Sequence, residues 1–169
     1  MNCEPTPTSG LARIALPGAL ALLVGCQHAA PPVAPTPPQQ VESGSRFVLR
    51  TPLNFPTGNA ELLFQNQQLV GAGKLSPSMP YCRLRPAQGA AGVMQPGTYT
   101  VSGVQYDEKE VGATSAMASV TRIALGPDSR QSTYALSCGW PAGGPAPAFV
   151  TTQQIYNAIG GQFSMDLLR

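Results

Sequence analysis

Histidine is almost missing from this chain. Among 169 residues there is one, His28, and it stands in a stretch dominated by proline and small polar residues. Residues 46–169 therefore hold no imidazole, which removes Ser-His-Asp and Cys-His catalysis and most zinc chemistry with nitrogen ligands. Charge is scarce as well: Lys and Arg total 10, Asp and Glu total 8, and the formal net charge is +2. The basic residues do not cluster, so a nucleic-acid footprint is excluded. No Gly-x-Ser-x-Gly, Ser-x-x-Lys, phosphate-cradling glycine loop or metal-ligand cluster occurs. Long apolar runs are absent too. The longest, residues 14–25, holds about a dozen residues, short of the roughly 20 that a membrane-spanning helix needs.

That run has the length of the apolar region of a secretory signal, and Arg13 supplies its basic flank. It ends in Leu23-Val24-Gly25-Cys26, which resembles the lipobox of bacterial lipoproteins. The resemblance implies a diacylglycerol on the Cys26 thiol, cleavage before Cys26 and acylation of the new amino terminus. It also implies a membrane lipid as the first partner of the chain. Gln27 follows the cysteine where Asp would, in the enterobacterial pattern, signal retention in the inner membrane. The outer membrane, facing the periplasm, is thereby implied. Met1 to Gly10 departs from the pattern, with Cys3, Glu4 and two prolines where such signals carry Lys or Arg. Without the resemblance, Cys26 reads as a buried cysteine at the end of a core helix.

The chain divides into residues 1–25 (signal), 26–45 (anchor and linker) and 46–169 (folded domain). Prolines recur through 27–45, blocking helix and removing backbone donors, and little apolar surface is available to bury. As polyproline II, at about 3.1 Å per residue, the segment spans roughly 50–60 Å. It reads as a spacer, or else as a Pro-rich recognition site. Some 125 residues remain, enough for one domain with its own core.

Gly and Pro number 18 each, and β-branched and aromatic residues fall in short runs, which favours strands with many turns. The expected fold is mainly β, a small antiparallel β-sandwich or partly open barrel with one short C-terminal helix. Residues 46–55 alternate Phe47, Leu49, Thr51, Leu53 and Phe55 against Arg46, Val48, Arg50, Pro52 and Asn54, the set with both arginines, and Pro52 makes this an edge strand or splits it. A hairpin is expected around Asn66-Gln67, and a brief strand over 81–85. The clearest strand is 98–107, with a bulge at Gly103, where the alternation slips. The charge run Asp107-Glu108-Lys109-Glu110 reads as a solvated turn, 120–125 and 131–138 as strands, and 139–147, with Trp140, as loop. Thr151 or Thr152 caps a helix through Ile159, with Ile155, Tyr156 and Ile159 as its apolar stripe and Gly160-Gly161 as its stop. Core packing is its expected role and partner docking the alternative. A last strand follows over 163–168.

Cys82 and Cys138 each fall on the apolar phase of a strand, and in an exported domain such thiols pair. A Cys82–Cys138 disulfide is expected; two free thiols or a redox pair, which lacks Cys-x-x-Cys spacing, are the alternatives. The acids Glu61, Asp107, Glu108, Glu110, Asp128 and Asp166 show no pairing by position, although two of them can still meet in space. Trp140 and Tyr81 are candidates for an exposed aromatic patch that binds a ligand or partner. The domain also resembles small exported Gram-negative proteins with a strand-rich body and two distant cysteines. Cys82, Pro96-Gly97, Leu136-Ser137-Cys138 and residues 151–160 carry that resemblance across residues 46–168, and it brings no activity with it. The expected function is a non-enzymatic envelope lipoprotein with a structural, accessory or binding domain, no cofactor and an envelope protein as a second partner. A carboxylate-dependent hydrolase and the aromatic-patch binding module are the alternatives.

Overall fold

A computed structural model describes residues 40–57, 60–87, 92–111, 115–127, 133–143 and 149–168. Cys26, His28, Asp128 and most of the proline-rich segment lie outside them. The alternating stretch at the start of the domain is divided at Pro52 into β1 (Arg46–Leu49) and β2 (Leu53–Asn54). Phe47, Leu49, Leu53 and Phe55 are buried as the alternation requires, while Thr51 is exposed. β2 leaves the main sheet to pair with β6 (Val93–Met94).

The other strands form one antiparallel sheet: β3 (Leu62–Gln65), β4 (Gln68–Val70), β5 (Tyr81–Pro86), β7 (Gly97–Val111), β8 (Ala116–Gly126), β9 (Tyr134–Pro141) and β10 (Phe163–Asp166), with β1. Their order is β10-β1-β7-β8-β9-β5-β3-β4. The sheet curls into a half-barrel, the partly open form of the expected fold. β1 is no edge strand, since it lies between β7 and β10.

Two irregularities shape the sheet. The register of β7 on β8 shifts between Val101 and Gly103, at the expected bulge. A second shift lies between Ala118 and Thr121 of β8, where Ser119 takes a positive φ of 52°. Bulges sharpen local twist. Past this one, the far end of the β7–β8 hairpin comes over the outer face of β5. The charge run at 107–110 is strand rather than turn, and Glu110 is buried. The run reads as solvated because the arginines that pair with Asp107 and Glu110 come from β5 and β8, outside the run. β9 likewise extends through Trp140 instead of ending as loop.

The inner face carries the main core: Phe47, Phe64, Leu84, Val101, Ile123, Leu125 and Leu136, closed over by Ile155, Ala158, Ile159 and Phe163. Those last residues come from α1 (Thr152–Ile159) and β10. Thr151 caps α1 in a capping box with Gln154. The buried stripe is Thr152, Ile155, Ala158 and Ile159, the i, i+3, i+4 spacing of a helix face. Tyr156 falls off that face and is exposed. The folded unit also begins before residue 46. Val41 is buried in the core, and Ser45 is tied in by bonds from Val101 N (2.8 Å) and from Leu168 N to its Oγ (3.3 Å).

Candidate functional site

The outer face of the sheet holds a second apolar cluster of Leu63, Tyr81, Met117 and Val120. At its border lies the largest fully buried side chain among the described residues, which is an arginine. Arg83 sits on β5 opposite Leu63 of β3 and Ser137 of β9, with none of its surface exposed. An isolated buried charge costs several kcal/mol, so its partners decide whether it is tolerable. Arg83 Nε faces Glu61 Oε2 at 3.5 Å, and Nη1 donates to Glu110 Oε1 at 3.2 Å. Nη2 donates to the carbonyl and hydroxyl oxygens of Ser115. The planar fork of the guanidinium thus holds together Glu110 of β7 and the residues just ahead of β3 and β8, Glu61 and Ser115, a geometry that a lysine ammonium cannot reproduce.

Glu110 is the second hub. Besides Arg83, it accepts from Arg85 Nη2 at 2.7 Å and from Arg122 Nη2 at 3.1 Å. Arg122 also reaches Asp107, at 3.3 Å. Three arginines and three carboxylates (Glu61, Asp107, Glu110) therefore balance in one network. Burial alone would raise the Glu110 carboxyl. The neighbouring Ser137 hydroxyl, although not in good hydrogen-bonding geometry, and the Arg122 and Arg85 guanidinium groups outweigh it, and hold the pKa below its ordinary value of 4.5. Tyr81 goes the other way. Burial pushes its hydroxyl up, against the opposing pull of its bond to Ser115 Oγ (2.8 Å) and of Arg83.

This network bears on the carboxylate-pair reading. Glu61 and Glu110 do meet in space, but around a guanidinium and in the interior. Glu108 and Asp166 lie exposed, apart from the network.

The expected disulfide is present. Cys82 and Cys138 face each other in the β5–β9 register, with Cα atoms 4.1 Å apart, and both are buried against the main core. The aromatic patch is not formed. Tyr81 is fully buried on the outer face, whereas Trp140 is half-buried and packs against the inner core. The two are register neighbours on adjacent strands, Tyr81 opposite Gly139, so alternation sends them to opposite sides.

A recess lies elsewhere. A pocket of about 320 Å³ opens between the β3–β4 turn, Met79-Pro80 and α1. Its walls carry Asn66, Gln67, Gln154 and Asn157, four carboxamides and no charge. Sequence reading places Asn66-Gln67 in a turn and Gln154 in a helix but has no means to bring them together. Gln65 secures the pocket from behind: its Nε2 donates to Ser76 O and Met79 O (3.0 Å each), and its Oε1 accepts from Ser76 N (2.7 Å). A groove of about 330 Å³ beside Glu61, lined by Pro56, Leu69, Val70 and Ala72, follows the edge strand β4.

No family model matches the chain, and no curated protein or solved structure matches it significantly.

Proposed function

We propose that the chain is an exported protein of the bacterial envelope, lipid-anchored through Cys26, whose β domain is a non-catalytic binding or structural module. The observation that carries this reading is the uncharged run 14–25 ending in Leu23-Val24-Gly25-Cys26. Two features support it. The Cys82–Cys138 disulfide suits an oxidising compartment. The buried core begins at Val41, leaving about fifteen residues between Cys26 and the folded unit, a tether of the kind an anchored domain uses. The non-catalytic part of the reading draws on Glu61 and Glu110, whose charges are committed to Arg83. Gln27 favours the outer membrane, and an envelope protein is the expected second partner.

Two or three acyl chains anchor stably where one holds only marginally. Cells fed an alkyne-bearing fatty acid should therefore yield labelled protein in the membrane fraction, and Cys26→Ala should lose both the label and the membrane. Mass spectrometry that finds an intact, unacylated Cys26 in membrane-extracted protein overturns the reading.

A further inference from the structure

We propose that the carboxamide pocket between the β3–β4 turn and α1 binds the acetamido group of an N-acetylated amino sugar. The first observation is a strained turn. Asn66 and Gln67 both hold positive φ, 52° and 63°. Two-residue hairpin turns of this kind favour Asn-Gly, because glycine takes the second position without a Cβ penalty. Asn tolerates the left-handed region; Gln is not among the residues that do so readily. A strained residue that survives beside a pocket is an indication of function there. Here the strain keeps an amide side chain at the pocket wall where glycine would leave none.

The second observation is the state of the helix wall. Gln154 Oε1 is occupied by Thr151 N (2.9 Å) and Thr151 Oγ1 (3.2 Å). Asn157 Oδ1 is occupied by Gln153 Nε2 at 3.0 Å. Both oxygens are engaged, and among the described residues neither amide nitrogen donates a bond, so each is a donor for the pocket. The turn wall offers donors and acceptors from Asn66 and Gln67. The walls are fixed to each other, since Gln67 N donates to Ala158 O at 2.9 Å.

The complement of this site is an uncharged group with a carbonyl for the helix donors, an N–H for a turn acceptor, and a small apolar end for Met79 and Pro80. An acetamido group has all three. The volume lies at the lower end of ligand pockets, about 300–1,000 Å³, and suits one compact unit better than an extended peptide. The proposal rests on the binding-module part of the reading above and is independent of the anchor: its failure shows in the spectra below and leaves fatty-acid labelling at Cys26 unchanged.

The test is titration of the full chain in mild detergent with the N-acetylglucosamine tetramer, following the side-chain amide resonances by NMR. Saturable shifts at Asn66, Gln67, Gln154 and Asn157, with Kd on the order of 1 mM or tighter, are expected. Asn157→Ala keeps the helix, since alanine is the better helix former, and should weaken binding at least tenfold. Gln67→Gly should melt at the same or a higher temperature and also bind at least tenfold more weakly, because relieving strain at a site costs its function. Equal shifts with the unacetylated glucose tetramer, preference for a neutral tetrapeptide, no shifts at these four residues, or unchanged binding by Gln67→Gly would each overturn the proposal.

Discussion

Arg83 shows what a single residue does when burial and charge conflict. Its guanidinium offers donors in a fixed plane; Glu110 and Ser115 accept from Nη1 and Nη2, and Glu61 stands as an ion-pair partner 3.5 Å from Nε. Breaking a buried pair by removing one partner costs about 3–5 kcal/mol. Arg83→Met should fall near the lower end, about 3 kcal/mol, because Arg85 and Arg122 still compensate Glu110. Arg83→Lys should recover little of the loss, since one ammonium cannot reach Glu61, Glu110 and Ser115 together. Urea unfolding at constant m-value measures both. Glu110 sets the acid limb. Its folded pKa lies below the unfolded one, so its contribution is present above the ordinary carboxylate value and is lost as pH falls through and below 4.5. Glu110→Gln should be less stable than the parent at pH 7, with the gap closing as pH falls toward 3; a constant gap would refute the linkage. The strand expected over 81–85 puts Arg83 and Arg85 on one face with Tyr81 by simple alternation. That the face is interior was not legible, because the covering residues come from 110 and 115, brought over by the bulge at Ser119.

At the scale of elements, local signals were the readable ones. The Asn66-Gln67 turn, the Thr151 cap and the slip at Gly103 each depend on residues within a few positions, and all three appear as expected. Tyr156 was misassigned to the helix stripe because an i, i+1, i+4 triad of large apolar residues outweighed the smaller Ala158, which the packing prefers. The end of α1 shows how tightly elements meet. A Cβ on Gly161 would overlap the Gln67 carbonyl oxygen, a backbone atom that cannot step aside. Gly161→Ala should destabilise by about 1–3 kcal/mol, as overpacking does. Calorimetry of the purified variant reads this; an unchanged melting temperature would mean that the turn is not docked on the helix.

For the whole molecule, the disulfide is the long-range restraint with the largest calculable effect. Cys82 and Cys138 are 56 residues apart, and the chain-entropy model assigns a loop of that size about 4 kcal/mol. The double Cys→Ala variant should melt roughly 10–20 °C lower. The order of the strands in the sheet, by contrast, was not legible. Sequence supplies strand phases and turns, but which strands become neighbours is settled by β1, which pairs with β7 and β10 across gaps of roughly fifty and more than a hundred residues. That placement has a temporal consequence. Phe47 meets Phe163 in an edge-to-face contact, and β1 lacks one of its two partners until residue 166 is available. A chain being synthesised or threaded through a pore cannot complete this fold piecemeal. The first strand must wait, half-paired, for the last.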